Sequence, residues 1–323
     1  MKTSMYKGAI RIACFASGLL LVAGCTSLNK IAASKLATQG AQVATTSGQS
    51  YQSTDQALVQ FVEGEYLLSG LSEGYSPPTS NMLNSISVIR KELQLRQQML
   101  SGLSSLYVSF GALCDYDAQG EVEKSIGSTV QAGNSLSGLL GGGEISDSAG
   151  KLFANTGGAV VGRIQSQRIN NASAKIRSAL QGIVLLLQQS NEQAALVSMR
   201  KSISEGKLRL VNKLWEDEFA SASGIIDQHI QVFGLTPNES AVSAAAKNPG
   251  IKKGIEELLK WRQKQEEDSQ AAAYDATIQA LRSLVNEHSK IEAGEAVSLD
   301  AIQGYMATIQ QYVNLITDIK KGN

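Results

Sequence analysis

The chain offers few residues whose types and spacing could do chemistry. His229 and His288 are its two histidines, 59 positions apart. Each falls in or beside an apolar helical seam, where a lone histidine reads as a packed or surface side chain. No HExxH, CxxC or Walker pattern occurs, so zinc hydrolysis, thiol redox and nucleotide chemistry lack their usual carriers. Gly138, Gly141, Gly142 and Gly143 follow no strand pattern and do not make a phosphate loop. Glu216, Asp217 and Glu218 stand in a row beside Trp215, but three consecutive helical positions point in different directions and cannot converge on one substrate. Serines are abundant without a recognisable base partner. Trp215 and Trp261 read as core or interhelical anchors. The expectation is a protein without catalytic residues, metal or cofactor.

Composition supports a folded chain of another kind. The 323 residues are 43% hydrophobic, enough to bury a sizeable core and too apolar for a disordered chain. Basic and acidic side chains balance at 29 each, which argues against a nucleic-acid binder, since neutralising phosphates takes a basic excess.

The amino end carries an address. Lys2, Lys7 and Arg11 precede a nearly continuous apolar run, Ile12 to Ala23, which is too short to span a bilayer as a stable helix. A charged start, a short apolar middle and small residues at the end form a secretory signal. The closing residues Leu21-Val22-Ala23-Gly24-Cys25 resemble the lipobox of bacterial lipoprotein precursors. The resemblance is confined to residues 1–25. It implies removal of residues 1–24, a diacylglycerol on the Cys25 thiol and an acyl chain on its amine. It also implies outer-membrane delivery, because Thr26 and Ser27, not Asp, follow the cysteine. A multiply acylated cysteine does not readily leave a membrane, each buried methylene contributing about 0.8 kcal/mol. Cleavage would leave Cys25 and Cys114 as the remaining cysteines, so Cys114 reads as a buried thiol or, in an oxidising compartment, as half of an intermolecular disulfide.

Beyond the address, apolar residues recur at spacings of three and four, and no segment alternates as a strand would. Residues 25–53, rich in Ala, Ser, Thr, Gln and Gly, read as a lipidated tether or a loosely packed first helix. Residues 54–323 read as one elongated, all-α domain of long antiparallel helices with coiled-coil-like packing. Pro77 and Pro78 separate a helix near 52–73 from one near 80–115. The second carries the seam Ile86, Ile89, Leu93, Leu100, Leu103, Tyr107, Phe110 and Cys114. Residues 163–233 contain no proline and read as a single helix with the seam Leu208, Val211, Trp215, Phe219, Ala222, Ile226, Ile230 and Phe233. Thr236-Pro237-Asn238-Glu239 has the form of a capping box with Thr236 as the cap. Asn248-Pro249 repeats the cap-plus-proline signal, and Ser298-Leu299-Asp300 opens the last helix. The mixed charges of 252–268 read as a solvated helix face.

Residues 125–162 differ from the rest. They hold 10 of the 30 glycines, and Gly141-Gly142-Gly143 splits them into two short, small-residue-rich helices. The first half carries Ile126, Val130, Leu136, Leu139 and Leu140; the second carries Leu152, Phe153, Val160 and Val161. These nine are the candidate contacts to a membrane or partner. The segment reads either as a hairpin tip in which glycine lets helices approach closely, or as a membrane-active or self-associating tip. In outline the second reading is similar to helical pore-forming toxins, though no motif carries that likeness.

The function these features favour is an outer-membrane-anchored helical lipoprotein, periplasmic or surface-facing, acting as a structural or interaction component of a cell-envelope assembly. Its expected partners are the membrane, through the diacylglycerol and N-acyl chain on Cys25, and other envelope proteins or further copies of itself. No nucleic acid is expected. The rivals are a pore-forming protein using 125–162 and a ligand-binding or enzymatic lipoprotein.

Overall fold

The computed structural model describes the backbone of residues 5–320 apart from 73, 142–143, 157–158, 161–163, 189, 218, 220–222, 233 and 247. Within its helices, it describes side chains except those of residues 5–29, 144–147, 155, 190–197, 199–200, 228–229, 232, 245–246 and 318–320. The protein is all-α. Its helices are α1 (Met5–Leu71), α2 (Ser80–Asp115), α3 (Gln119–Leu139), α4 (Glu144–Thr156) and α5 (Gln165–Leu187), then α6 (Ser190–Glu216), α7 (Ser223–Val232), α8 (Glu239–Ala246), α9 (Pro249–Ala293) and α10 (Asp300–Lys320). No strand occurs among the described residues.

Helix starts follow local chemistry. After Pro77-Pro78, the Thr79 hydroxyl accepts from the Met82 amide at 3.3 Å and opens α2. Asn248 caps α9, its Oδ1 accepting from the Gly250 amide at 2.8 Å, with Pro249 at the first helical position, where a missing N–H costs nothing. At α8 the cap is Asn238, whose Oδ1 accepts from Ala241 at 3.2 Å, and not Thr236 as expected. Asn238 directly precedes the helix and reaches its third amide, which leaves Thr236 outside the turn.

The expected single helix over 163–233 is three helices. α5 ends at Leu187, and α6 ends at Glu216 with the chain turning at Asp217. Neither break carries proline or a glycine turn. Tertiary bonds close the first end: the Tyr274 hydroxyl donates to the Leu187 carbonyl, and Arg282 donates to the Gln188 side chain at 3.0 Å. Part of the anticipated seam is accordingly not core. Phe219 is 71% exposed and Val211 is also exposed, while Ala222 and Phe233 lie outside the described residues.

The chain packs as two compact units. The first comprises Met1–Tyr51, Gln94–Gln189 and Ala273–Gln310; the second comprises Gln52–Leu93, Ser190–Ala272 and Gln311–Asn323. Four of the five boundaries fall inside α1, α2, α9 and α10, and the fifth falls between α5 and α6.

In the first unit, residues 30–51 are core and not a free tether. Ala33, Leu36, Val43, Ala44 and Ser47 are fully buried. The composition that suggested a loose linker does the opposite here, because small side chains let α1 lie close against its neighbours. A methyl group added at Gly40 would fall 2.3 Å from the Tyr107 ring, and one at Gly111 would fall 3.3 Å from the Ala37 side chain. Leu100, Leu103, Tyr107, Phe110 and Cys114 of α2 are all buried as their spacing predicts, and Leu281 and His288 of α9 and Ile302 and Ile309 of α10 are buried with them. Glu287 holds the loop before α10, accepting from the Ser298 amide at 2.8 Å and the Lys290 ammonium at 2.7 Å.

The second unit is held partly by charge. Asp55 of α1 receives a two-point contact from Arg90 of α2, at 2.7 and 3.3 Å. Lys207 of α6 reaches Glu266 of α9 at 3.0 Å, so the mixed-charge stretch is not wholly a solvated face. The Glu257–Lys260 pair within that stretch is exposed, as expected. Ile255 centres a small apolar cluster with Trp215, Ile225, Ile226 and Leu259. Trp215 is thus an interhelical anchor, with the Lys252 ammonium 5.8 Å from its ring centre. Trp261, at 59% exposure, is not.

Gly40→Ala drives a methyl group into a tyrosine that is itself fixed by a hydrogen bond. It should cost about 1–3 kcal/mol of stability, the usual range for overpacking, measured by urea unfolding. A neutral effect would mean that α1 stands farther from α2 than the structure places it.

Candidate functional site

Of the residues with chemistry to offer, His288 sits in a buried polar cluster with Tyr107 and Ser173. His288 of α9 is fully buried. Its Nε2 lies 3.0 Å from the Tyr107 hydroxyl of α2, and its Nδ1 lies 2.8 Å from the Ser173 hydroxyl of α5. Ser173 also donates to the His288 backbone carbonyl at 3.2 Å. That donation commits the serine proton, so Ser173 Oγ accepts from Nδ1–H and Tyr107 donates to Nε2. This assignment gives a neutral imidazole with its proton on Nδ1, in keeping with its full burial. The Phe110 and Tyr107 rings flank it at centroid distances of 5.5 and 5.7 Å. Burial, with a smaller contribution from the nearby Arg177 charge, pushes its pKa down to about 3. Arg177 is itself held by Glu292 through two bonds of 2.9 and 2.8 Å. Tyr107 is likewise raised well above its usual value by burial.

A serine against a histidine suggests a nucleophile and its base, but this pair is sealed. Ser173, His288 and Tyr107 are each fully buried. Their hydrogen-bonding capacity is spent on one another, and the cluster ties α2, α5 and α9 together. The side chain of His229 lies outside the described residues.

Cys114 is a free, fully buried thiol that donates weakly to the Phe110 carbonyl at 3.4 Å. Burial first, then the Asp115 charge, pushes its pKa up to about 12, against a smaller lowering by Lys30. The structure thus favours the packed-thiol reading over the intermolecular disulfide.

The proposed contact residues of 125–162 mostly face inward. Ile126, Leu136, Phe153 and Val160 are buried, Val130, Leu140 and Leu152 are half-buried, and Leu139 is 38% exposed. Val161 and the side chain of Cys25 lie outside the described residues. α3, α4 and α5 pack on one another, and Phe153 of α4 fills a slot that two glycines keep open. A methyl group at Gly133 of α3 would lie 2.5 Å from its ring, and one at Gly182 of α5 would lie 2.9 Å from it. Glu123 fastens the far end by accepting from the Val160 amide at 2.6 Å.

Several concave surfaces are accessible. One groove of about 670 Å³ runs between α1, α2 and α6 in the second unit, and a second of about 430 Å³ lies against α7 and the start of α9. The second is apolar throughout, lined by Ile225, Ile226, Ile230, Ile251 and Leu258, with Gly250 and Gly254 keeping its floor low. Leu235 at its edge is 63% exposed. A polar trough of about 480 Å³ between α4 and α5 holds Lys175 and Arg177, but Lys175 already donates to the Thr156 carbonyl and Arg177 is paired with Glu292. No helix among the described residues is long and apolar enough to cross a membrane, and no cluster of His, Cys, Asp and Glu that could hold a metal ion occurs among them.

The fold and these surfaces define an all-α protein with a sealed polar core cluster, an open apolar groove and a second groove with charged walls. No protein-family model matches the chain, no curated protein matches it in sequence, and no solved structure matches it.

Two outcomes follow from the buried cluster. Between pH 6.5 and about 3 the unfolded chain takes a proton at His288 that the folded chain refuses, so stability falls as pH falls through that window, by roughly tenfold in the folding equilibrium per unit. His288→Gln should be less stable at neutral pH and lose that component; urea unfolding of both chains across the window checks it, and parallel pH profiles would contradict it. Cys114 should resist iodoacetamide in the native protein and react on unfolding, as mapped by mass spectrometry.

Proposed function

We propose that the protein is a lipoprotein of the outer membrane, anchored through a diacylglycerol and an N-acyl chain on Cys25, and that its helical body is a structural or interaction component of a cell-envelope assembly. The anchoring half rests on the signal-like start and the lipobox-like Leu21-Val22-Ala23-Gly24-Cys25. The observation that carries the interaction half is the apolar groove of α7 and α9. Its lining is apolar, it is open, and Leu235 and Ile251 stand exposed at its edges. Trp261 is exposed one helical turn beyond Leu258, on the same side of α9. Contiguous exposed apolar surface of this kind favours contact with a partner over contact with water.

The reading is non-enzymatic. The serine–histidine pair found among the described residues is buried and flanked by aromatic rings. Membrane activity of 125–162 is the weaker reading, since four of its nine named apolar residues are buried and Phe153 would first have to leave its slot.

Metabolic labelling with an alkyne fatty acid tests the anchor: the wild-type chain should incorporate label and fractionate with outer membranes, and Cys25→Ser should do neither. Photo-crosslinking in intact cells from position 251 should yield a discrete adduct with an envelope protein or a second copy of the chain, absent when the crosslinker sits at exposed Val88. An unlabelled, freely soluble wild-type protein would overturn the anchor, and absence of any adduct at 251 would overturn the interaction surface.

A further inference from the structure

The groove between α1, α2 and α6 differs from the apolar one in carrying charge. Its floor is apolar: Phe61 and Ile86 are buried, and Met82 and Leu208 are half-buried. Its charged lining consists of Glu65, Glu205 and Arg209, two carboxylates and one guanidinium. Ser85 and Ser202 add hydroxyls. A volume near 670 Å³ with an apolar floor and a few polar groups matches the usual form of a small-molecule site, roughly 300–1,000 Å³.

The charges are arranged asymmetrically. Glu65 is the inner member, with its side chain 17% exposed. It accepts from Arg209 Nη2 at 2.7 Å, while the Arg209 side chain is 63% exposed. The carboxylate is thus fixed in the wall and the cation laid on it is held mostly by water. Glu205 has as its partner Lys201, at 3.8 Å and 71% exposed, a contact of the weak surface type. Gly206 sets the geometry. A methyl group there would lie 2.3 Å from the Phe61 ring and 3.0 Å from Glu65 Oε1, so glycine lets both side chains lie against α6, ring and carboxylate side by side.

We infer that this groove binds an organic cation with an apolar body, its ammonium or guanidinium group seated on Glu65 and Glu205 and its hydrocarbon on Phe61, Ile86, Met82 and Leu208. Arg209 marks the cation position: its guanidinium occupies Glu65 in the unliganded protein and swings to solvent when the ligand enters. The carboxylates of Glu65 and Glu205, each held by a solvent-exposed cation that a ligand can displace, select cations over anions, and the apolar floor selects against small hydrophilic amines. The inference goes beyond the envelope reading and does not depend on lipidation at Cys25.

An isosteric series separates the possibilities: 4-phenylbutylamine, 4-phenylbutanol and 4-phenylbutyrate, titrated by calorimetry into the full chain in a neutral detergent against a detergent-only blank. The protonated amine should bind saturably and at least about tenfold more tightly than the alcohol or the acid, the scale of a charge-assisted contact. Glu65→Gln should weaken amine binding by about tenfold, since it removes the charge and keeps the shape. Arg209→Ala should tighten it severalfold, because the internal competitor is gone. Both variants alter a surface-accessible pair, and unchanged helical circular dichroism confirms that they fold. Tighter binding of the acid, equal binding of the alcohol, weaker amine binding in Arg209→Ala, or no saturation by about 10 mM amine would each overturn the inference. None of these results depends on whether Cys25 carries lipid, so failure here and failure of the anchor are read separately.

Discussion

A neutral imidazole in a dry interior is the constraint on which the first unit depends. His288 can stay buried because both ring nitrogens are satisfied, one by Tyr107 of α2 and the other by Ser173 of α5. Leaving either nitrogen bare would cost the desolvation of a polar group without a compensating bond, on the order of 1–3 kcal/mol. The pairing therefore fixes the register of three helices that are far apart in sequence. Gly40 extends the same constraint to α1, since only a residue without a side chain lets that helix close over the Tyr107 ring. Leu100, Leu103, Leu281 and Ile302 supply the burial energy around the cluster, while the polar network selects which helix faces meet.

Glycine does comparable work elsewhere in the protein. Gly133 and Gly182 hold a slot for Phe153, and Gly206 lets Phe61 and Glu65 lie against α6. In each case a missing methyl group places an aromatic ring. The segment that looked suited to meeting a membrane, 125–162, is built on this device and turns its ring inward. The apolar groove and the groove between α1, α2 and α6 belong to the second unit, where the helices meet through ion pairs and a small cluster around Ile255.

The legible parts of this architecture were those written in local pattern. α2 could be read to the residue, because two prolines precede it and its apolar positions recur at three and four. The cap at Asn248 and the placement of Cys114 and His288 in buried seams were equally readable. Three features were not. The burial of residues 30–51 was hidden because alanine, serine and glycine give no strong apolar period, yet they pack closely for that same reason. The breaks after Leu187 and Glu216 carry no glycine or proline signal; the first is closed by Tyr274 and Arg282, more than 85 positions away. The grooves are assembled from helices distant in sequence, so no spacing within one segment announces them. Ser173 illustrates the limit: it was one serine among many until the fold set it 2.8 Å from a histidine 115 positions on.

The state of His288 is the most direct test of this account. Nitrogen NMR of histidine-labelled protein reads protonation and tautomer at each ring nitrogen. The account predicts one imidazole, absent from the His288→Gln spectrum, that is neutral, protonated on Nδ1 and unchanged from pH 8 down to pH 5. An imidazolium in that range, or a proton on Nε2, would contradict it.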